Sequence, residues 1–330
     1  MPGVKMLRKI QLGRESTAGT AVAATTVWRG EGAGEDNVQI VFPSENVGIL
    51  GGVNRSFIPA LGGSAQMSGM ATFEQILHVL EAGINAVTPV ADGAGTGKVS
   101  TYTFPTTAQL TPKTYTIEAG DNQQAEELEY AFVESFSLNG KAGEGLALEA
   151  SWLGRQWITT TYTPALSLPV VEDILVSKAK LYIDAIGGTI GTTQVSNTLL
   201  SMGLDVKTGI VAVHTADGNK YFSFTKQTAP EAGLQLVFEH NASAVAEKAN
   251  WRAGTPRLIR LEFQGSALGT PGAFTTKTLR LDFAGTWEKF GALADQDGND
   301  TVVASFKPLY DLTAAKFAEI TVVHNLTSVP

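Results

Sequence analysis

Two glycine-rich stretches carry residue types that could hold a phosphate group. Residues 93–98 space their glycines and a lysine much as a phosphate-binding loop does, but that motif needs a glycine where Asp92 stands. Val99 also replaces the Ser or Thr whose hydroxyl would ligate Mg²⁺, so we interpret the stretch as a flexible turn. Residues 30–34 fail the dinucleotide pattern, because Glu31 would repel a pyrophosphate and no helical pattern follows. Neither stretch predicts nucleotide binding.

One acidic stretch near the C-terminus offers oxygen ligands for a cation. Asp295, Asp297, Asn299 and Asp300 surround Gly298, and Ca²⁺ takes such ligands. The glycine falls at the wrong position for an EF-hand, however, and no glutamate closes the loop. These residue types are typical of a solvated hairpin turn, which is the interpretation we prefer.

The remaining polar residues form no recognisable catalytic set. The four histidines lie far apart, without metal-ligand spacing or a nearby nucleophile pattern: His78, His214, His240 and His324. No pair of carboxylates is singled out for acid–base chemistry. The sequence therefore predicts no cofactor, no metal and no catalytic residue.

Composition limits the class of protein. A chain of 330 residues exceeds the usual size of one domain, so we expect two. A net charge of -8 argues against a dedicated nucleic-acid-binding surface, although it permits a passage that repels nucleic acid. The absence of cysteine excludes disulfides and thiolate metal sites. No apolar run approaches the roughly 20 residues that span a bilayer, and no secretory signal is evident, so we expect no membrane insertion.

Strand patterns dominate the chain, and one helix is expected in each half. Residues 146–152 and 279–284 alternate apolar with polar side chains, as strands with one buried face do. Thr72 begins a capping box before an apolar stripe that Gly83 can end. Asn241 could cap a second helix, which would lay small residues such as Val245 and Ala246 against a sheet.

The two halves of the chain match each other in order, which predicts two tandem copies of one β-rich unit. Four pairs of segments carry the match: 9–12 with 180–183, 65–72 with 234–241, 136–140 with 261–265, and 146–154 with 277–285. Their offsets are about 171, 169, 125 and 131 residues. The fall in offset predicts an insertion of about 44 residues at 86–129 in the first copy. We assign the domains to residues 1–168 and 169–330.

The predicted insertion contains two Thr- and Tyr-rich strands, S-T-Y-T-F and K-T-Y-T-I. It has strand-forming alternation but little apolar mass, so we expect an arm that projects and pairs with a neighbouring subunit. Its candidate assembly residues are Tyr102, Phe104, Tyr115 and Ile117.

These features together resemble a known family. A small-residue N-terminal strand precedes the helix T-F-E-Q-I-L-H-V-L-E-A-G, the Thr-rich strands, and then V-E-S-F-S-L-N-G-K-A-G-E-G-L-A-L-E-A-S-W-L-G-R. This order is similar to the major tail tube protein of long-tailed bacteriophages. The resemblance covers most of the first half and, more weakly, the second.

The resemblance implies a non-catalytic virion protein, made in the host cytoplasm and built into the phage tail. Its fold would be a mainly β (α+β) pair of sandwich or barrel-like domains, each with a flanking helix. Its rings would stack into a hollow tube for genome passage, in contact with tape-measure, tail-tip and terminator proteins. Single-domain members form rings of six, so a doubled chain predicts a homotrimeric ring. Candidate lumen-wall residues are Glu134, Glu149, Glu262 and Asp282.

Two other classes of function remain open from the sequence. A β-sandwich module that binds carbohydrate or a receptor would present clustered exposed aromatic residues. A hydrolase would use a carboxylate pair that sequence does not reveal. A type VI secretion tube subunit is related in form but is usually a single domain.

Overall fold

The computed structural model describes residues 2–52 and 54–330, and this part of the chain is mainly β, as expected. The first half contributes twelve strands: β1 (Lys9–Arg14), β2 (Thr26–Val27), β3 (Glu31–Asp36), β4 (Gln39–Val41), β5 (Phe57–Ala60), β6 (Gly63–Met70), β7 (Val90–Ala91), β8 (Lys98–Thr103), β9 (Tyr115–Gly120), β10 (Ala125–Lys141), β11 (Ala147–Gly154) and β12 (Trp157–Thr160).

The second half contributes ten more among the described residues: β13 (Ala179–Ala185), β14 (Gln194–Val195), β15 (Leu199–Lys207), β16 (Ile210–Val213), β17 (Phe224–Gln227), β18 (Glu231–Glu239), β19 (Arg257–Ala267), β20 (Thr276–Gln296), β21 (Asn299–Pro308) and β22 (Ala318–His324). Helix α1 spans Ile76–Gly83 and helix α2 spans Ala242–Arg252. Short 3-10 turns occupy Lys5–Leu7 and Val176–Lys178.

One antiparallel sheet of eight strands, here the central sheet, runs through both halves. Its order is β3, β6, β11, second half of β10, β15, β18, β21 and second half of β20. Two flanking sheets join it through the first halves of β10 and β20. They are β2-β1-β9-β10-β12 and β14-β13-β19-β20-β22-β8-β7.

The expectation of a barrel-like domain is wrong for this chain. Within residues 2–52 and 54–330 the pairings never return to their starting strand, so the central sheet stays open at β3 and at the second half of β20. A single strand bends from one sheet into the next at a β-bulge, between Val133 and Ser135 in β10 and between Trp287 and Lys289 in β20. Such bulges turn a strand and sharpen its twist.

The same order of strand pairings occurs once in each half. A row of opposite residues crosses four strands in each: Gly32, Met67, Ala150 and Phe136 in the first, and Met202, Leu236, Ala304 and Phe290 in the second. Each row ends at the second residue after the β10 or β20 bulge, and β20 has a further register shift directly beyond it, between Phe290 and Leu293. Strands β9 to β11 therefore correspond in position to β19 to β21.

This correspondence corrects part of the sequence alignment. The segments around 65–72 and 234–241 do occupy equivalent positions, whereas 136–154 corresponds to the stretch about 154 residues later rather than to 261–285. Strand β9 and the start of β10 have counterparts in β19 and β20. Between its helix and the strand that follows in this set, the first half has residues 84–114, whereas the second half has only residues 253–256.

Both helices form, but they differ from the predicted patterns. Thr72 Oγ1 accepts a hydrogen bond from the backbone N–H of Gln75, and α1 begins one turn later, at Ile76. In α2 the Asn241 side chain accepts from two backbone N–H groups, as a cap should. The buried face of α2 carries Ala244 and Glu247, so the expected stripe around Val245 is wrong. Glu247 is buried because Arg257 and the Trp287 indole bind its carboxylate.

A polar cluster is enclosed in the core beneath α1. The fully buried carboxylate of Glu81 accepts from Arg14 Nε at 2.9 Å and Nη2 at 3.1 Å, and from the Tyr115 hydroxyl at 3.1 Å. Burial raises the pKa of Glu81, and the Arg14 guanidinium opposes that rise. His78 lies 3.2 Å from the same tyrosine hydroxyl. The cluster fastens α1 to β1 and β9.

Two buried histidines should make the protein less stable in mild acid. Burial lowers the pKa of His78 to about 3 and that of His324 to about 4, with nearby Arg14 and Lys277 adding to the effect. Both values lie below the ordinary value of 6.5, so the unfolded chain binds protons first. The stabilisation is complete above pH 6.5 and is lost progressively as pH falls toward 4 for His324 and toward 3 for His78. Urea denaturation at a series of pH values across this range measures the free energy of unfolding as a function of pH. This free energy should fall less steeply toward low pH in the double variant His78→Gln with His324→Asn than in the natural chain. An equally steep fall in the double variant would contradict the expectation.

Candidate assembly surfaces

The four residues predicted to form a projecting arm lie inside the chain. Tyr102, Phe104, Tyr115 and Ile117 are all buried. Strand β8 pairs with β22 of the second half, where Tyr102 faces Ile320, and the Tyr115 ring meets Trp152 edge-on at 5.7 Å. The prediction of a projecting arm is corrected, because these aromatic residues complete the chain's own core.

The prediction is also corrected for two of the four candidate lumen residues. Glu262 and Asp282 are buried and bound to arginines: Arg280 Nε donates to Glu262 at 2.6 Å, and Arg260 Nη2 donates to Asp282 at 2.6 Å. They lie on β19 and the first half of β20, in a flanking sheet. Carboxylates held this way are not available to a passing polymer.

The other two candidates, Glu134 and Glu149, are exposed on the central sheet. Glu149 borders a shallow groove of about 470 Å³ on the polar face of this sheet. The groove is lined by four carboxylates and two ammonium groups: Glu149, Asp205, Glu231, Glu288, Lys207 and Lys307. Serines on β10 and β11 separate these charges. The polar face is therefore hydrophilic and moderately negative, without a concentrated binding site.

The two ends of the central sheet expose strand edges. Strand β3 pairs with β6 on one side, and its residues are exposed or half-buried. The second half of β20 pairs with β21 on one side, and Glu288, Lys289 and Leu293 are exposed. No described strand occupies the other side of either. On the β20 edge the Trp251 indole N–H already donates to Glu288 O at 3.1 Å. The remaining unpaired N–H and C=O groups along such edges are ready to pair with another chain.

A hairpin that the sequence analysis did not single out carries a large apolar surface. Strands β4 and β5 pair with each other just after β3 in the chain, and most of their residues are exposed. Its exposed large apolar residues are Val38, Ile40, Phe42, Val47, Ile49, Leu50, Phe57 and Ile58. The alternation V-Q-I-V-F at 38–42 was a strand signal in the sequence. Exposed apolar patches of this kind mark interaction surfaces.

The loops weighed for ligand binding are structural turns. Asp297 and Gly298 have positive φ and form the two-residue turn of the β20–β21 hairpin. Asp92 accepts backbone N–H groups of Ala273 and Phe274, which fixes the glycine-rich loop to the second half. Among residues 2–52 and 54–330, no three His, Cys, Asp or Glu side chains converge in a metal-ligand arrangement.

In comparisons with known proteins, the sequence matches no protein-family model and no curated protein. Neither helix in the described part of the chain has the length and apolar character that crossing a bilayer requires.

Proposed function

We propose that this protein is a structural subunit that polymerises into the hollow tail tube of a long-tailed phage, without catalysis. Three structural features support the proposal: the recurring strand pairings, the junction between the halves, and the polar face of the central sheet. We take the recurring pairings as a tandem duplication of a tube-type domain. The functional family itself rests on the sequence resemblance.

The observation that carries the proposal is the junction between the two halves, here the internal seam. In it β10 pairs with β15, with Ser135 opposite Lys207 and Phe136 opposite Val206. The row of equivalent residues makes the second half of β20 the counterpart of β10, and β3 the counterpart of β15. The chain thus has, at its two open edges, both partners of a second such seam. Head-to-tail pairing of copies through these edges continues the sheet from chain to chain.

Applying the residue register of the internal seam to the two open edges predicts which residues face each other between chains. Ser135 corresponds to Lys289, and Lys207 corresponds to Asn37, so Lys289 should face Asn37 of the next chain. Glu35, which lies two residues before Asn37 on the same face of the strand, then lies close to this lysine and adds electrostatic complementarity. If six tube-type domains close a ring, three chains complete it.

In such a ring the polar face of the central sheet would line the lumen. Its excess of carboxylates would repel DNA weakly and its serines would leave the wall wet, so DNA would pass without adhering. Glu134 and Glu149 are the candidates that we retain for this wall. Stacked rings in the virion, with tape-measure, tail-tip and terminator proteins as neighbours, complete the proposal.

Cysteine cross-linking should join chains at one register. The natural chain contains no cysteine, so introduced thiols react alone. We expect Asn37→Cys with Lys289→Cys to form covalent oligomers that end at a closed trimer, because the corresponding internal pair lies between hydrogen-bonded neighbours, where antiparallel Cα atoms approach to about 4.5 Å. Electron microscopy of the same sample should give threefold rings or tubes with pseudo-sixfold appearance.

The internal seam supplies the matched control. Ser135→Cys with Lys207→Cys should close within one chain and leave its mass unchanged, at 34.8 kDa. Ala33→Cys with Lys289→Cys, which is out of register, should cross-link poorly. Six chains per ring, or a monomer under all assembly conditions, would defeat the proposal, and a monomer would favour a carbohydrate- or receptor-binding module instead.

A further inference from the structure

The internal seam has a second component outside the sheet, formed by the hairpin that follows β15. This hairpin, β16 with β17, lies across the first half of the chain. Ile210 and Phe222 are buried against Tyr130 and Phe132, and the Phe222 ring meets those two aromatic rings edge-on at 4.9 and 5.9 Å. The hairpin therefore fastens the second half to the first.

Polar contacts hold the same hairpin along its length. Arg155, just after β11, donates to the backbone oxygens of Phe222 at 3.2 Å and Ser223 at 3.1 Å, and its guanidinium lies 4.9 Å from the Tyr221 ring centre. The backbone N–H of Leu61 donates to Lys220 O at 2.9 Å. The hairpin thus extends over β10 and the end of β11 to the residues just before β6.

The hairpin β4–β5 occupies the equivalent position after β3, yet residues 2–52 and 54–330 leave its apolar side chains exposed. Ile40 is 52% exposed and Phe57 is 49% exposed. Its counterpart surface lies at the far end of the second half. There the backbone N–H of Leu309 donates to Ala284 O, just as that of Arg155 donates to Glu129 O. Leu309 in the second half therefore occupies the position that is equivalent to Arg155 in the first half.

This counterpart surface is itself apolar and exposed. Leu309 and Tyr310 are each nearly half exposed, and Leu312 is 88% exposed. At the equivalent position in the first half, where the hairpin is present, the Arg155 side chain is only 16% exposed. The second half therefore carries an exposed apolar patch, defined as Leu309, Tyr310 and Leu312, and the first half carries an apolar hairpin that the described residues leave exposed.

We infer that the β4–β5 hairpin of one chain docks on the Leu309–Leu312 patch of the adjacent chain in the same ring, as β16–β17 docks on the first half within the chain. The inference rests on the proposed ring. Its occupant is a second copy of this chain, because the adjoining β3 and β20 edges already bring hairpin and patch together. Apolar contact replaces the arginine contacts of the internal seam, which favours assembly that is insensitive to salt.

The patch can be tested by adding charge to it. Leu312→Asp should raise the chain concentration required for ring formation at least tenfold, as measured by analytical ultracentrifugation. Phe57→Asp should have the same effect. Val170→Asp is the matched control, since Val170 is 92% exposed and lies outside hairpin and patch. Each variant should keep the folded circular-dichroism spectrum. Rings that form as readily from Leu312→Asp as from the control would overturn the inference.

A cross-link identifies the neighbour. Phe42→Cys with Leu312→Cys, treated with a short bismaleimide, should give covalent oligomers in isolated single rings. Products confined to stacked tubes would place the hairpin between rings and overturn the inference, although the ring itself would stand. A protein that forms no ring in any condition would instead reject the proposed function, and the Asn37/Lys289 cross-link separates these two failures.

Discussion

Asp36→Pro should abolish ring assembly while the chain still folds. Asn37 donates its backbone N–H to Gly62 O, on the β6 side. Successive N–H groups of a strand point to opposite sides, so the N–H of Asp36 points to the open edge. In the internal seam its counterpart is Val206, opposite Phe136 in β10. The Asp36 N–H is thus expected to bind Phe290 O of the next chain.

Proline is tolerated in an edge strand but not in the interior of a sheet, because it lacks the backbone N–H and its ring occupies the space of the neighbouring strand. As a monomer edge, β3 should accept proline at position 36 with little loss of stability. In the ring β3 becomes an interior strand, and every junction would carry the defect. We expect rings to disappear in native mass spectra while the thermal transition moves by only a few degrees.

Asp36→Ala is the matched control, since it removes the same carboxylate and keeps the N–H. It should assemble with at most modest weakening. Gly34 is a poorer site for the test, because even a Cβ at this position would lie 2.5 Å from the Trp157 ring. Normal rings from Asp36→Pro would exclude β3 from the junction.

Arg14→Met should lower the free energy of unfolding by about 3–5 kcal/mol, the usual cost of leaving a buried charge without its partner. The Glu81 side chain is fully buried, and Arg14 supplies two of the hydrogen bonds to its carboxylate. Without the guanidinium, Glu81 must take up a proton or remain a buried anion. Urea denaturation at pH 7 measures the difference.

Two further variants separate the effect of losing the ion pair from the effect of losing side-chain packing. Arg55→Met removes an exposed partner of Glu45 and should change stability by less than about 1 kcal/mol. Arg14→Met combined with Glu81→Leu should recover much of the loss, because the buried charge disappears with its partner. A double variant as unstable as Arg14→Met would mean that lost packing, rather than the unpaired charge, dominates.

Local sequence patterns determined the strand content and the sites of both helices. Asn241 capped a helix as expected, because a capping side chain binds backbone groups within three residues of itself. The alternation at 146–152 formed β11, with Leu148, Ala150 and Trp152 on its buried face. The turn at Asp297 and Gly298 likewise followed from its residues, which accept positive φ. Each of these features depends on contacts between near neighbours in sequence.

Tertiary structure alone decided which strands pair and which polar residues are exposed. Strand β8 pairs with β22 across more than two hundred residues, and that pairing buries Tyr102 instead of leaving it on an arm. Glu149 and Glu262 both occupy polar positions of alternating strands, yet only Glu262 meets an arginine, because Arg280 lies opposite it on β20. Alternation specifies that a strand has two faces. It cannot specify what each face or edge meets, because that depends on residues distant in the chain and, at β3 and β20, on a surface outside it.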